Sequence, residues 1–413
     1  MKQLKHYITL LLIFGSVSVI RAQSLDELLK EVVDNNPELK ALNAEFEAEK
    51  SKVDQVSQLP NPTLGSGIPI LRPETRLGPQ VVMVSASQMF PWFGTLKSKK
   101  EVVLSMSKAK YERIAAKKLE LFFMVKSAYY QINFHQSRMA IIEKSLEIFE
   151  SLENIALAKV ESGQTLTSDV LRMQLKIQEL EQEILLIQND IKNKSIEINQ
   201  LANAELSREI KPDNVLEEIA PLEFDTTTFM KKIRNHHPMI LAINSKIEAS
   251  ENKQVSNKKM NGLAFGIGMD YSLVGERTDA NPVGNGQDIL IPKLMLSLPL
   301  YRKSYNAKNQ EEDFVQESLM YQKEAFLDMV LAKLLQYKLE YESAMLNIQL
   351  HQNLYETTRQ ALEILLVNYS STGQGFDEVL QLENQLLNHE IAVIKYKLQL
   401  KIAIAKIERF TDF

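Results

Sequence analysis

No cysteine occurs in the 413 residues, and that absence removes several chemistries at once. Disulfides, thiol nucleophiles, thiolate metal sites and lipid attachment at an N-terminal cysteine are all excluded. Tryptophan is present once, and glycine (14) and proline (13) are sparse for the length, which favours helix. Most of the glycine and proline is confined to 60–79, 262–299 and 373–375. Excess positive charge is also missing. The net charge is −5, with no zinc-finger, helix-turn-helix or RNA-binding signature, so no nucleic-acid partner is expected. No run after the N-terminus reaches the ~18 apolar residues that a spanning helix needs.

The N-terminus supplies what the rest lacks. Lys2 and Lys5 precede an apolar stretch over 8–19, and Ala22 closes a small-residue cleavage site before Gln23. Residues 1–22 therefore read as an export signal. Its removal takes away Lys2, Lys5 and Arg21 and moves the net charge to −5 − 3 = −8. An exported chain without a spanning helix is either soluble beyond the inner membrane or crosses a membrane as a β-barrel.

The chain then repeats itself. Val170, Ile177, Ile184, Ile191 and Ile198 lie seven apart, and Val379, Leu386, Val393, Leu400 and Ile407 do the same 209 residues further on. A second seam runs Met320, Leu327, Leu334, Tyr341, Ile348, Tyr355, Leu362, Tyr369. Its counterpart is Val125, Ile132, Met139, Leu146, Glu153, Val160, where only Glu153 interrupts. Sustained heptads mean helices packed along their length, and the shared register means an internal duplication. The predicted elements of the first repeat (23–204) are a helix at 25–58, strands near 62–71 and 80–91, a long helix at 94–161 and a returning helix at 166–204. A polar connector covers 205–228. The second repeat (229–413) has a helix at 229–258, strands at 263–273 and 289–300, a long helix at 302–369 and a returning helix at 376–411. Each long helix has 68 residues, about 100 Å at 1.5 Å per residue.

The strands alternate. Leu263, Phe265, Ile267, Met269 and Tyr271 are apolar, and the residues between them are Ala264, Gly266, Gly268, Asp270 and Ser272. One apolar face opposed to one small or polar face is the pattern of a membrane barrel strand. Four strands cannot close a barrel, and an open edge is forbidden in lipid, so membrane insertion requires several chains to share one barrel. A soluble four-stranded sheet beside a coiled coil is the alternative.

Several segments carry a family resemblance over essentially the whole mature chain. They are Asn36-Pro37 and His237-Pro238, Ser297-Leu298-Pro299-Leu300-Tyr301, and the run from Gly373 to Leu380 (GQGFDEVL). The layout resembles the TolC-like outer-membrane efflux proteins, and 88–94 (QMFPWFG) is most similar to the heavy-metal (cation) efflux subgroup. The resemblance implies a mixed, mainly α fold: a homotrimer sharing a 12-strand β-barrel, four strands per chain, with a long coiled-coil α-barrel. It implies an exit duct in the outer membrane of a Gram-negative bacterium that extends into the periplasm. A periplasmic adaptor and a proton-driven inner-membrane pump would be its partners. An outlet for secreted polypeptides and a soluble periplasmic scaffold are the rival functions.

No catalytic constellation, cofactor site or metal cluster is expected. Adjacent His236 and His237 point about 100° apart on a helix and read as helix-start punctuation before Pro238. Met83, Met89, Met269 and Met295 near the strands read as packing filler. By the resemblance, the turns Gly163, Gln164, Thr165 and Gly373, Gln374, Gly375 are periplasmic tips where the adaptor docks. Asp169, Asp377 and Glu378 stand just beyond them, and the resemblance makes Asp169 and Glu378 gate residues. Gln381 replaces a second family acid, and Gly375 replaces the family's basic partner. Pro91, Trp92, Phe93 and Gly94, with Pro299 and Tyr301 in the repeat, mark the change from strand to helix at the membrane interface.

Overall fold

The heptad-bearing stretches fold as helices up to 70 residues long. The computed structural model describes residues 24–163, 166–213, 223–372 and 375–413. The expected export signal lies outside them. In chain order the elements are α1 (Leu25–Asn35), α2 (Pro37–Ser57), β1 (Thr63–Gly67), β2 (Glu74–Thr75), β3 (Gly78–Phe90), α3 (Thr95–Glu161) and α4 (Thr167–Leu201). The second repeat adds α5 (Thr226–His236), α6 (Pro238–Met260), β4 (Ala264–Val274), β5 (Ile289–Ser297), α7 (Lys303–Thr372) and α8 (Phe376–Thr411).

Several expected boundaries need correction. The helix expected over 25–58 is two helices, broken at Asn36, and that expected over 229–258 is also two, broken at His237. Proline forces the preceding residue out of the helical region, and Asn36 (ψ 123°) and His237 (ψ 128°) are extended accordingly. Each break is also a helix start. Asn36 Oδ1 accepts from the N–H groups of Glu38 and Leu39, and His237 Nδ1 accepts from that of Met239. The strand expected over 62–71 is confined to Thr63–Gly67, between Pro62 and Pro69, while the two-residue β2 was not expected at all. The strand expected over 289–300 stops at Ser297, before Pro299.

The chain divides into two compact units. One comprises Lys40–Lys117 and Met230–Val330 and carries the sheet. Strand order is β1-β3-β4-β5, all antiparallel, with β2 paired to the start of β3. The central β3–β4 pairing joins the two repeats. In the same unit α6 presents Ala242, Ser245, Ala249, Ser250 and Ser256, small residues that are all buried. Small side chains let helices approach closely, and polar groups then bond across. Asn257 Nδ2 donates to the Tyr305 carbonyl at 2.8 Å, and Asn252 Nδ2 to Ser105 Oγ at 3.0 Å.

The other unit comprises Lys118–Phe229, Leu331–Phe413 and the segment up to Leu39. One core cluster joins Ile142, Phe149 and Leu152 of α3, Met173, Leu180 and Ile187 of α4, Leu362 and Tyr369 of α7, and Phe376, Val379 and Leu387 of α8. Met173, Leu180 and Ile187 form a second heptad line beside the one read from the sequence, and they are buried more deeply than Ile177 and Ile184. Polar ties secure the connector. Tyr129 Oη accepts from the Asp213 N–H at 3.0 Å, and Asn133 Nδ2 donates to the Asp213 carbonyl at 2.6 Å. Arg208 reaches both Asn199 Oδ1 (2.9 Å) and Glu31 (2.8 Å).

Asn36 combines both kinds of contact. Besides capping α2, its Nδ2 donates to the Leu201 carbonyl at 2.8 Å, in a site only 4% exposed. Asn36→Ala removes a cap worth about 1 kcal/mol and a hydrogen bond to the half-buried Leu201 carbonyl worth about 1 kcal/mol more. A loss of roughly 2 kcal/mol of stability is expected, read as a lower denaturation midpoint.

Candidate functional site

Two regions hold the residues singled out in the sequence. In the helical unit, the turn after α3 passes through Gly163 (φ 71°), whose N–H donates to the Val160 carbonyl at 3.0 Å. The turn before α8 passes through Gly375 (φ 88°), the residue at the α8 N-cap. Both glycines occupy the left-handed region that side chains adopt only at a cost. Gln164, Thr165, Gly373 and Gln374 lie outside the described residues.

Beyond these turns the expected acids separate. Asp169 is buried, with its charge felt at the Tyr369 hydroxyl, whose pKa is raised chiefly by burial and then by that charge. Asp377 is exposed and forms an ion pair with Arg172 of α4, a residue that sequence reasoning missed. Asp169 also acts on the Arg172 guanidinium, so the structure gathers Asp169, Asp377 and Arg172. Glu378 and Gln381 are exposed, outside this group. The Glu378 carboxylate instead folds back over Gly375, with Oε2 3.6 Å from where a Cβ would stand. Lys159 braces the same end: its ammonium donates to the Tyr369 carbonyl at 2.8 Å and lies 4.6 Å from the centre of the Tyr369 ring. Tyr369 packs on Phe376 at 5.8 Å between ring centres. The cation paired with Asp377 thus comes from α4, across the hairpin ends, while the turn itself carries Gly375.

The sheet unit carries the second region. Paired residues on neighbouring strands share a face, so the register fixes both surfaces. One face holds Leu64 and Ser66, then Val82, Val84, Ala86, Gln88 and Phe90, then Phe265, Ile267, Met269, Tyr271 and Leu273, then Leu290, Pro292, Leu294 and Leu296, and is apolar except at Ser66 and Gln88. Many of these are uncovered: Leu294 is 90% exposed and Leu64 77%. The opposite face holds Gly65, Ser85, Ser87, Gly266, Gly268, Asp270, Ser272 and Lys293, with Asp270 and Lys293 in an ion pair. Met89 and Met295 meet on this face over Gly266, where a Cβ would stand 2.4 Å from Met89 Sδ.

At the end of β3 the chain turns at Pro91. The Thr95 N–H donates to the Trp92 carbonyl at 3.0 Å, and Gly94 takes φ 77°. Phe90 stacks on Phe265 at 5.4 Å and Phe93 tilts against it at 5.8 Å, while Trp92 rests on Gly262. This aromatic group is only half covered: Trp92 is 42% exposed and Phe93 73%. Pro299 and Tyr301 follow β5, and Tyr301 projects freely at 90% exposure. Among the described residues no helix is long and apolar enough to cross a membrane.

Comparison with known proteins follows this geometry. Residues 28–204 match the family model described as Outer membrane efflux protein. No curated protein matches the chain by sequence. Among solved structures, the outer membrane protein VceC from Vibrio cholerae matches with a TM-score of 0.72 at 14% identity, covering 94% of this chain and 95% of VceC. CusC gives a TM-score of 0.74 at 13% identity, covering 95% of each chain. The open state of the MtrE channel of Neisseria gonorrhoeae gives 0.72 at 14%, covering 94% of this chain and 88% of MtrE. At these identities the likeness is one of fold, and the fold is that of the TolC-like outer-membrane channels.

One buried acid near the α8 turn was absent from the sequence reading. Glu383 sits between Val379 and Leu387 of the core, and burial pushes its pKa above the usual carboxylate range. A carboxyl whose pKa is raised on folding costs stability at neutral pH, and the cost is relieved as pH falls through the folded value. Glu383→Gln is expected to raise the thermal midpoint at pH 7. It should also flatten the gain in stability that the wild type shows between neutrality and the ordinary glutamate range.

Proposed function

We propose that this chain is one protomer of a homotrimeric outer-membrane duct, the passive exit of a tripartite efflux system. The observation that carries the reading is the sheet, with an uncovered, largely apolar face, an opposite face rich in glycine, serine and charge, and two edge strands, β1 and β5, each paired on one side only among the described residues. In water that apolar face invites aggregation, which counts against the soluble scaffold. In lipid it is the outer wall, and the unpaired edges demand neighbouring copies. Two copies give eight strands, a barrel whose interior side chains fill; three give 3 × 4 = 12 and leave a lumen. The lumen wall is then the glycine and serine face with its Asp270–Lys293 pair.

In this assembly the helical hairpins stand in the periplasm. Their turns at Gly163–Thr165 and Gly373–Gly375 meet a membrane-fusion adaptor, and an inner-membrane pump, proton-driven, supplies the energy. Asp169, Asp377 and Arg172 form the closing contact of the periplasmic aperture, with Glu378 and Gln381 beside it. Threefold symmetry turns each acid into a ring that favours cations. Trp92, Phe93 and Tyr301 lie at the membrane–water boundary, held there by amphipathic rings. Lacking cysteine, the mature chain is anchored by its barrel and not by a lipid. The cargo is small molecules or metal cations, and the QMFPWFG junction supports the cations. The absence of any catalytic constellation in the sequence and the channel fold both support a duct that performs no chemistry.

Envelope fractionation should recover the protein in the outer membrane as a detergent-stable trimer; a soluble monomer would overturn the reading. Arg172→Ala is expected to raise single-channel conductance in planar bilayers several-fold by freeing Asp377, and unchanged conductance would remove Arg172 from the gate. Lipids spin-labelled near the headgroup should quench Trp92 emission more strongly than lipids labelled at the chain terminus.

A further inference from the structure

The helical unit contains a pair of histidines that nothing in the proposed duct employs. His351 of α7 and His389 of α8 stand 38 residues apart in sequence, yet their Nδ1 atoms are 3.2 Å apart. The ring centres are 5.3 Å apart, and the His351 ring stacks on Tyr396 at 5.5 Å, which holds it in place. Ile348 and Leu400 of a small apolar cluster lie nearby in the two helices. His351 itself occupies a heptad core line, seven residues from buried Ala344 and seven from buried Thr358.

The internal repeat supplies the comparison. Moving back by the same 209 residues that relate Val379 to Val170, His351 corresponds to Ile142 and His389 to Leu180. Ile142 and Leu180 are fully buried members of the apolar cluster that joins α3, α4, α7 and α8. The first repeat thus fills with hydrocarbon the two positions where the second repeat places two imidazoles. Packing alone does not require histidine there, because the same helical hairpin is built without it.

We infer that His351 and His389 form a two-ligand site for a divalent transition-metal cation of the zinc and copper class. Imidazole nitrogen is the ligand suited to these ions. With metal–nitrogen bonds of about 2.0–2.1 Å, two ligands of one ion lie about 3.3 Å apart in a tetrahedral site and about 2.9 Å apart at right angles. The observed 3.2 Å falls between these. Without metal the two nitrogens share one proton, one ring donating to the other. A cation takes the place of that proton when both rings turn their lone pairs toward it. Among the described residues no third histidine or carboxylate converges on the pair, so water fills the remaining positions, as the partial exposure of both rings permits. The bound ion pins α7 to α8 within the hairpin. This site is independent of the membrane reading, since it lies entirely within one helical unit.

The test uses the untagged full chain in detergent, titrated calorimetrically with Cu2+, Ni2+ and Zn2+. One ion per chain is expected, with Cu2+ the tightest. The double variant His351→Ile, His389→Leu imports the first repeat's own pair and is expected to fold at least as stably while weakening Cu2+ binding tenfold or more. Unchanged affinity in that variant, or no binding by the wild type at millimolar Cu2+, overturns the site. A second measurement needs no variant: Zn2+ should slow carbethoxylation of His351 and His389, read by mass spectrometry, more than that of His135 or His236. Equal protection of all four would also overturn it.

Discussion

A β-strand with nothing on one side leaves a row of backbone donors and acceptors that must be satisfied somewhere. Among the described residues the four-strand path ends in two such strands, because β1 pairs only with β3 and β5 only with β4. In water the groups would bond to solvent. In a hydrocarbon layer each would cost several kcal/mol. Beside those edges the sheet exposes a largely apolar face, so the surface that favours lipid adjoins the groups that lipid penalises most. In the proposed trimer a second and third copy of the same chain meet both demands at once, which ties that assembly to the sheet.

The repeat makes this economical. β3 comes from the first half and β4 from the second, and their pairing, from Phe90 opposite Phe265 to Gln80 opposite Val274, is the seam between duplicated halves. The strand-to-helix junction is punctuated similarly in both, by Pro91 and by Pro299. Yet the halves differ at particular positions. Arg172 in one hairpin answers Asp377 in the other, a cross-repeat pair that neither half makes alone. Ile142 and Leu180 have become His351 and His389.

Periodicity made the architecture legible. Sevenfold spacing disclosed the long helices and the duplication, and twofold spacing disclosed β4 and its two faces. Where the reading fell short, the missing information was three-dimensional or very local. The helix breaks at Asn36 and His237 were visible as X-Pro pairs but were read as helix starts inside continuous helices. The second heptad line through Met173, Leu180 and Ile187 was available to the same method and was passed over. β2 is two residues held by pairing with Gly78 and Pro79, which no period reports. Arg172 and the histidine pair owe their significance to partners 205 and 38 residues away, and spacing along one helix carries no sign of either. Glu383 looked like any charged helix residue until its burial was known.

The four-strand path has a further consequence, one of parity. Neighbours alternate in direction along β1-β3-β4-β5, so the two free edges run oppositely, and each added chain restores the edge it covers. Any number of copies then meets in antiparallel register, and the circumference grows in steps of four. A chain lacking one strand would break this rule. Its two edges would run the same way, and a ring containing one such subunit would carry an odd number of strands and a single parallel seam. Truncation of the sheet in one gene copy would therefore poison assemblies built mainly from intact chains, a dominant-negative effect that follows from counting strands.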